Sequence, residues 1–111
     1  MPEQDIDTPV LDLLAKMTAD SIEATDLDAE QLMLVRIAAL VAMDAPPVSY
    51  VFNLEAAGDA DIGPEEIQSI FAAIAPIVGT ARIASAASNI TRALGIVLDI
   101  AELEAEEEAN A

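Results

Sequence analysis

A chain of 111 residues is one domain, long enough to bury roughly two-thirds of the surface its unfolded form exposes. Its 21 acidic residues against four basic ones leave a net charge of −17, which repels a phosphate backbone and excludes nucleic-acid binding. Cysteine and histidine are both absent, so disulfides, thiol redox chemistry, zinc sites built on those ligands and any Ser-His or Cys-His nucleophile are excluded as well.

The apolar share is 54% with a mean hydropathy of +0.43, carried by Ala, Ile, Leu and Val rather than by aromatics. So small a chain has too little interior for that much apolar surface, and the excess must enter a membrane or a subunit interface. A spanning helix needs about 20 mostly apolar residues. The longest stretch without a charge, Ile67 to Ala81, is interrupted by Pro76 and Gly79, and Leu32 to Met43 carries Arg36. The segment MPEQDIDTP has no basic region followed by an apolar one, so no signal peptide is expected. The expectation is a cytoplasmic, obligately oligomeric protein with no membrane contact. The acidic charge keeps such a chain soluble; an adaptor role toward a basic protein partner is the alternative.

In chain order, Thr8-Pro9 reads as an N-cap with proline at the first helical position. An amphipathic helix follows over Val10–Ala24, with Asp12 and Lys16 at a favourable spacing. In TDLDAEQL, Asp28 caps a second helix and Gln31 reaches back in a capping box. That helix, Ala29–Met43, is apolar nearly all round, which predicts burial on most sides. Arg36 inside it must find a partner or reach water; an ion pair at a subunit interface is the first expectation and snorkelling the second. Pro46-Pro47 ends the helix and opens a third over Val48–Ala57, with a glycine stop at Gly58. Gly63-Pro64-Glu65-Glu66 starts a fourth, its glutamates complementing the positive helix end, which Pro76 should disturb near Ala75. A long last helix runs from Ala81 to about Glu104. The fold class is all-α with five to six helices: a flexible acidic N-terminus over 1–7, one helical domain over 8–104, and an acidic tail over 105–111 that frays.

Three groups of residues carry polar chemistry. Asp59, Asp61 and Gly63 suggest a calcium loop, but counted from Asp59 the glycine is fifth and position twelve is Ile70, so the spacing fails and a polar turn explains them. No metal site and no cofactor are expected. On the last helix Arg82, Ser85, Asn89 and Arg92 share a face and could grip a carboxylate or phosphate, or pair with acidic residues of a neighbouring subunit. Ser49 and Asn53 share a face of the short third helix, with Tyr50 beside them and Glu55 further on. They either satisfy local backbone or line a pocket.

The order of these features, LDAEQLMLVRIAALVAM, a turn, a short helix ending NLEAAGDADIGPEEI and a long helix after IVGT, resembles the carboxymuconolactone decarboxylase family, which includes the alkylhydroperoxidase D-like proteins. The resemblance covers Leu27 to about Leu94. In redox members of that family the short helix opens with Cys-x-x-Cys-x-x-x-His and an upstream glutamate helps move the proton. Aligned through GPEEI, the cysteines fall on Pro46 and Ser49, the histidine on Asn53 and the glutamate on Met33 or Leu34. None of these side chains can do the family's work: proline supplies no thiolate, Ser49 has no histidine to activate it, and Asn53 cannot take up a proton near neutrality. The resemblance therefore implies an alkylhydroperoxidase D-like helical homo-oligomer, commonly a trimer or hexamer, without thiol peroxidase activity and with a binding or structural role. A cysteine-independent lyase acting on a small carboxylated substrate is the rival, with Ser49, Tyr50, Asn53, Glu55, Arg82 and Arg92 as its pocket and an arginine holding the anion.

Overall fold

The computed structural model describes residues 7–110, which form five helices with no strand among them. The N-terminal stretch expected to be flexible, apart from Asp7, lies outside the described residues, as does Ala111.

Helix α1 spans Pro9–Ala24 and starts at the proline, whose missing N–H costs nothing in a first turn. The Thr8 side chain does not cap it; its hydroxyl donates to the Asp12 carboxylate at 3.4 Å. Lys16 pairs with Asp20 at 2.7 Å rather than with Asp12, an exposed contact worth a few tenths of a kcal/mol. Helix α2, Ala29–Ala42, has the capping box its sequence encodes. Asp28 accepts from the Gln31 amide at 2.8 Å, and the Gln31 side chain accepts from the Asp28 amide at 3.2 Å. Met33, Ile37 and Val41, four residues apart, form its buried stripe. The opposite side is less covered than the all-round apolar pattern implies, with Val35 54% exposed.

The two turns flanking α3, Pro47–Asp59, share one design. After α2, the Ala45 amide donates to the Leu40 carbonyl at 3.0 Å and the Asp44 amide to the Val41 carbonyl at 3.1 Å. After α3, the Ile62 amide donates to Ala57 at 2.9 Å and the Asp61 amide to Gly58 at 3.1 Å. Both are Schellman motifs, and in both an aspartate, Asp44 at φ 55° or Asp61 at φ 63°, holds the left-handed position usually given to glycine. Aspartate tolerates that conformation better than most residues. Helix α3 thus continues past Gly58, where a stop was expected, because the turn is made three residues later at Asp61.

Helix α4, Pro64–Val78, runs through Pro76, because its carbonyl partner belongs to Ala72 on the exposed side, where water can replace the lost bond. Glu66 accepts from the Gly63 amide at 2.7 Å, tying down its start. One residue, Gly79 at φ 86°, turns the chain into α5, and a side chain would be strained there. Helix α5 covers Thr80–Ala109, 30 residues, which takes in residues 105–109 of the acidic tail.

Helices α2 to α5 enclose the core. α3 lies between α2 and α5, and α4 closes the other side of both. Ile37, Val41 and Tyr50 are its largest fully buried side chains. Helix α5 contributes Ala86, Ile90 and Ala93, and the small residues let its backbone approach α3 closely. Helix α1 has no buried residue, and α5 buries nothing beyond Ala93. The chain is accordingly elongated, 52 × 34 × 25 Å with a radius of gyration of 16.3 Å, against about 13 Å for a compact domain of this size.

Removing packing and removing turn geometry should be separable. Ile37→Ala is expected to cost ~2–5 kcal/mol in a urea melt. Asp61→Gly should be neutral or stabilising by a few tenths of a kcal/mol, whereas Asp61→Val should cost about 1–2 kcal/mol, because a β-branched side chain opposes positive φ. Equal effects of the two Asp61 variants would show that backbone strain does not govern that turn.

Candidate functional site

The polar face of α5 meets the turn between α2 and α3. The Arg82 guanidinium donates to the Ala42 carbonyl, and the Ser85 hydroxyl donates to the Asp44 carboxylate. The Asn89 amide donates to the Ala45 carbonyl at 3.1 Å, with Ser85 Oγ 3.4 Å away. Three side chains spaced over two helical turns thus take up the turn's outward-facing acceptors, including a carbonyl left unpaired at the end of α2. The groups that could grip an anion grip the protein's own backbone and a carboxylate of the same chain. Arg92, one turn further on, is exposed and outside this clamp.

The residues at the front of α3 face different ways. Pro46 is exposed, caps α3 and leads into Pro47 at the first helical position. Ser49 is half-buried, and its carbonyl accepts from Asn53 Nδ2 at 3.0 Å, so Asn53 satisfies local backbone. Tyr50 turns inward and is fully buried, while Glu55 is exposed. Met33, one of the two positions matching the family's glutamate, is in the core, and Leu34 packs against it. Ser49, Tyr50, Asn53, Glu55, Arg82 and Arg92 are thus spread over the core, the turn clamp and two exposed faces.

The Tyr50 hydroxyl has no hydrogen-bond partner among the described residues. Burial, with the nearby Asp44 charge adding to it, pushes its pKa up to about 12. Tyr50 keeps its proton throughout the neutral range and cannot act as a base there.

Open grooves lie between the described helices. One of about 370 Å³ lies between α3, α4 and α5, walled by Leu54, Ile62, Phe71 and Leu94 with Gln68 and Thr91 at its edge. A second, of about 360 Å³ between α2 and α4, is almost wholly apolar. A third, of about 910 Å³, is a cleft between α1 on one side and α2 and α3 on the other. Leu11, Leu14 and Ile22 form one wall and Leu32, Met33 and Phe52 the other, with Arg36 and Asn53 as polar groups. Arg36 is half-buried, and its guanidinium donates to the Ser21 hydroxyl of α1 at 3.1 Å. No group of three or more acidic residues that could hold a metal ion occurs among the described residues. Periodicity had placed Arg36 inside an apolar helix, but the cleft beside it has no sequence signal, because it depends on how far α1 stands off.

Two measurements address this region. Tyr50 is the only tyrosine, so its phenolate absorbance should titrate with a midpoint near 12. Since the folded pKa lies above tyrosine's ordinary 10.0, stability should hold below pH 10 and fall between there and about 12, by on the order of 2–3 kcal/mol. Tyr50→Phe should abolish that alkaline loss and leave neutral-pH stability unchanged or slightly raised, because no hydrogen bond is broken. Asn89→Leu should instead cost about 1–3 kcal/mol, since it leaves the buried Ala45 carbonyl unpaired.

Comparison of the chain with family models, with curated proteins and with solved structures finds no match. The likeness to the carboxymuconolactone decarboxylase family rests on the sequence features described above.

Proposed function

We propose that this chain is the subunit of a carboxymuconolactone decarboxylase-like homo-oligomer that has lost thiol peroxidase chemistry and serves a non-catalytic binding or structural role. The observation that carries the reading is the apolar surface a single copy leaves in water. On α1, Leu11, Leu14, Met17 and Ile22 are all at least half exposed, and on α5 Leu98 and Leu103 are 66% and 61% exposed. The accessible surface, 7884 Å², exceeds by roughly 2,000 Å² what a compact monomer of 11.6 kDa presents. A standard interface takes about 800 Å² from each partner, so the excess covers one and more. Patches of this kind on a folded chain mark interaction surfaces.

The non-catalytic half of the reading is supported by the engagement of the polar groups. Arg82, Ser85, Asn89 and Asn53 are bound to the chain's own backbone or to Asp44, and Tyr50 is protonated and buried. Of the two arginines the sequence offers for a substrate carboxylate, Arg82 spends its guanidinium on the end of α2 and Arg92 is exposed outside the clamp.

Assembly between chains that each carry a net charge of −17 opposes its own electrostatics, so an apolar interface should tighten as salt screens the repulsion. Native mass measurement and sedimentation should show more than one chain per particle at micromolar concentration. The self-affinity should rise as salt goes from ~0.05 M to ~0.5 M. A single-chain mass across that range would end the reading.

A further inference from the structure

The exposed apolar surface is not uniform: it comprises a concave part and a projecting part. The concave part is the cleft of about 910 Å³ between α1 and the pair α2–α3. The projecting part is the end of α5 beyond Ala93, where no residue is buried. We infer that the distal half of α5 of one copy, residues 95–109, docks in the α1/α2/α3 cleft of a second copy, with a carboxylate of the incoming helix paired to Arg36. The inference rests on the assembly reading above and names the surfaces that make the contact.

Three observations favour this occupant. The first is size. The distal segment of α5, 15 residues, is about 22 Å long and the 16-residue wall formed by α1 is about 24 Å long. A helix of one matches the trough of the other. The second is the apolar pattern. Leu98 and Leu103 are well over half exposed and Ile96 and Ile100 about two-fifths, so this part of α5 offers apolar surface that its own chain leaves partly uncovered. The cleft offers Leu11, Leu14, Ile22 and the 75% exposed Phe52 to receive it.

The third is charge. Arg36 lines the cleft with no carboxylate within ion-pair distance among the described residues and only the Ser21 hydroxyl as partner. A guanidinium left so in an apolar wall gains from an acidic occupant. Beyond Arg92 the α5 sequence has no basic residue and carries Asp99, Glu102, Glu104, Glu106, Glu107 and Glu108. It combines apolar side chains with six carboxylates, none of them in an ion pair among the described residues. An α1-to-α1 contact would bury the leucines but leave both the cleft and the guanidinium unfilled.

Each copy has one tail and one cleft, so a reciprocal pair or a cyclic ring would satisfy every copy. Helix α5 is also the described helix long and apolar enough, by length and composition, to cross a membrane. Its first half, however, is committed to α3 and to the turn clamp through Arg82, Ser85 and Asn89.

The absence of cysteine makes the test clean. Full-length chains carrying Phe52→Cys and Leu98→Cys, both at exposed positions, are mixed in equal amounts and oxidised. The expected product is a cross-linked pair joining the two substituted positions, formed severalfold more than in either variant alone. In parallel, the double variant Leu98→Asp with Leu103→Asp should sediment as a single chain with unchanged circular dichroism. Arg36→Gln should weaken self-association about tenfold, and Arg36→Lys by less. Cross-linking only of like with like, or an undiminished assembly in the double variant, overturns the docking while leaving the oligomer standing. A single-chain mass for the unaltered protein removes the oligomer itself. Sedimentation of the unaltered chain with phosphatidylcholine vesicles, without the mixed cross-link, overturns the docking by assigning α5 to a bilayer.

Discussion

The structure depends on how α5 holds the turn between α2 and α3. Arg82, Ser85 and Asn89 reach across some 40 residues of sequence to Ala42, Asp44 and Ala45. Arg82 and Asn89 take backbone carbonyls at the end of α2, and Ser85 takes the Asp44 carboxylate beside them. The grip sets α5 along α3, and from there Ala86, Ile90 and Ala93 face the core at regular helical spacing. It also supports Asp44 in its left-handed conformation, since the carboxylate is held by Ser85. Helix packing and turn geometry are therefore one interaction seen from two sides. The same contact explains why an apparent anion-binding face is occupied: the partner is the dipole end of α2 and a carboxylate beside it.

A second constraint is the ratio of apolar side chains to interior. Three helices of 13 to 15 residues and the first half of α5 surround a core whose largest fully buried members are one tyrosine, one isoleucine and one valine. That core has no room for the leucines of α1 or of the distal α5. They lie outside it, and the molecule is longer than a compact chain of its mass. A high negative charge keeps such a surface dispersed and at the same time sets a repulsion that any self-contact must overcome. Fold and assembly are linked through this balance, because the residues that the monomer cannot bury are the ones available for a neighbour.

Local signals in the sequence marked most helix starts. Pro9, Asp28 with Gln31, Pro47 and Gly63-Pro64 with Glu66 all stand where helices begin, because each supplies or avoids a backbone donor within its own turn. Helix ends were harder to place. Gly58 looked like a stop, yet the chain turns at Asp61; Pro76 looked like a break, yet α4 passes through it. In both cases the deciding factor is what surrounds the residue: Ile62 buried beside Ala57 in one, an exposed carbonyl side in the other. Among candidate site residues, face-sharing was legible for Ser49 with Asn53 and for Arg82, Ser85 and Asn89. What each face meets was not.

From the sequence alone follow the all-helical class, the exclusion of cysteine and histidine chemistry, and a surplus of apolar residues over available interior. These depend on composition and on periods of three to four residues, which are local quantities. Only the tertiary structure decided that Arg82, Ser85 and Asn89 clamp a turn, that Tyr50 is sealed in the core, and that Arg36 lines a cleft. Those outcomes depend on which elements lie side by side, and contacts between residues 40 apart leave no periodic trace in the chain.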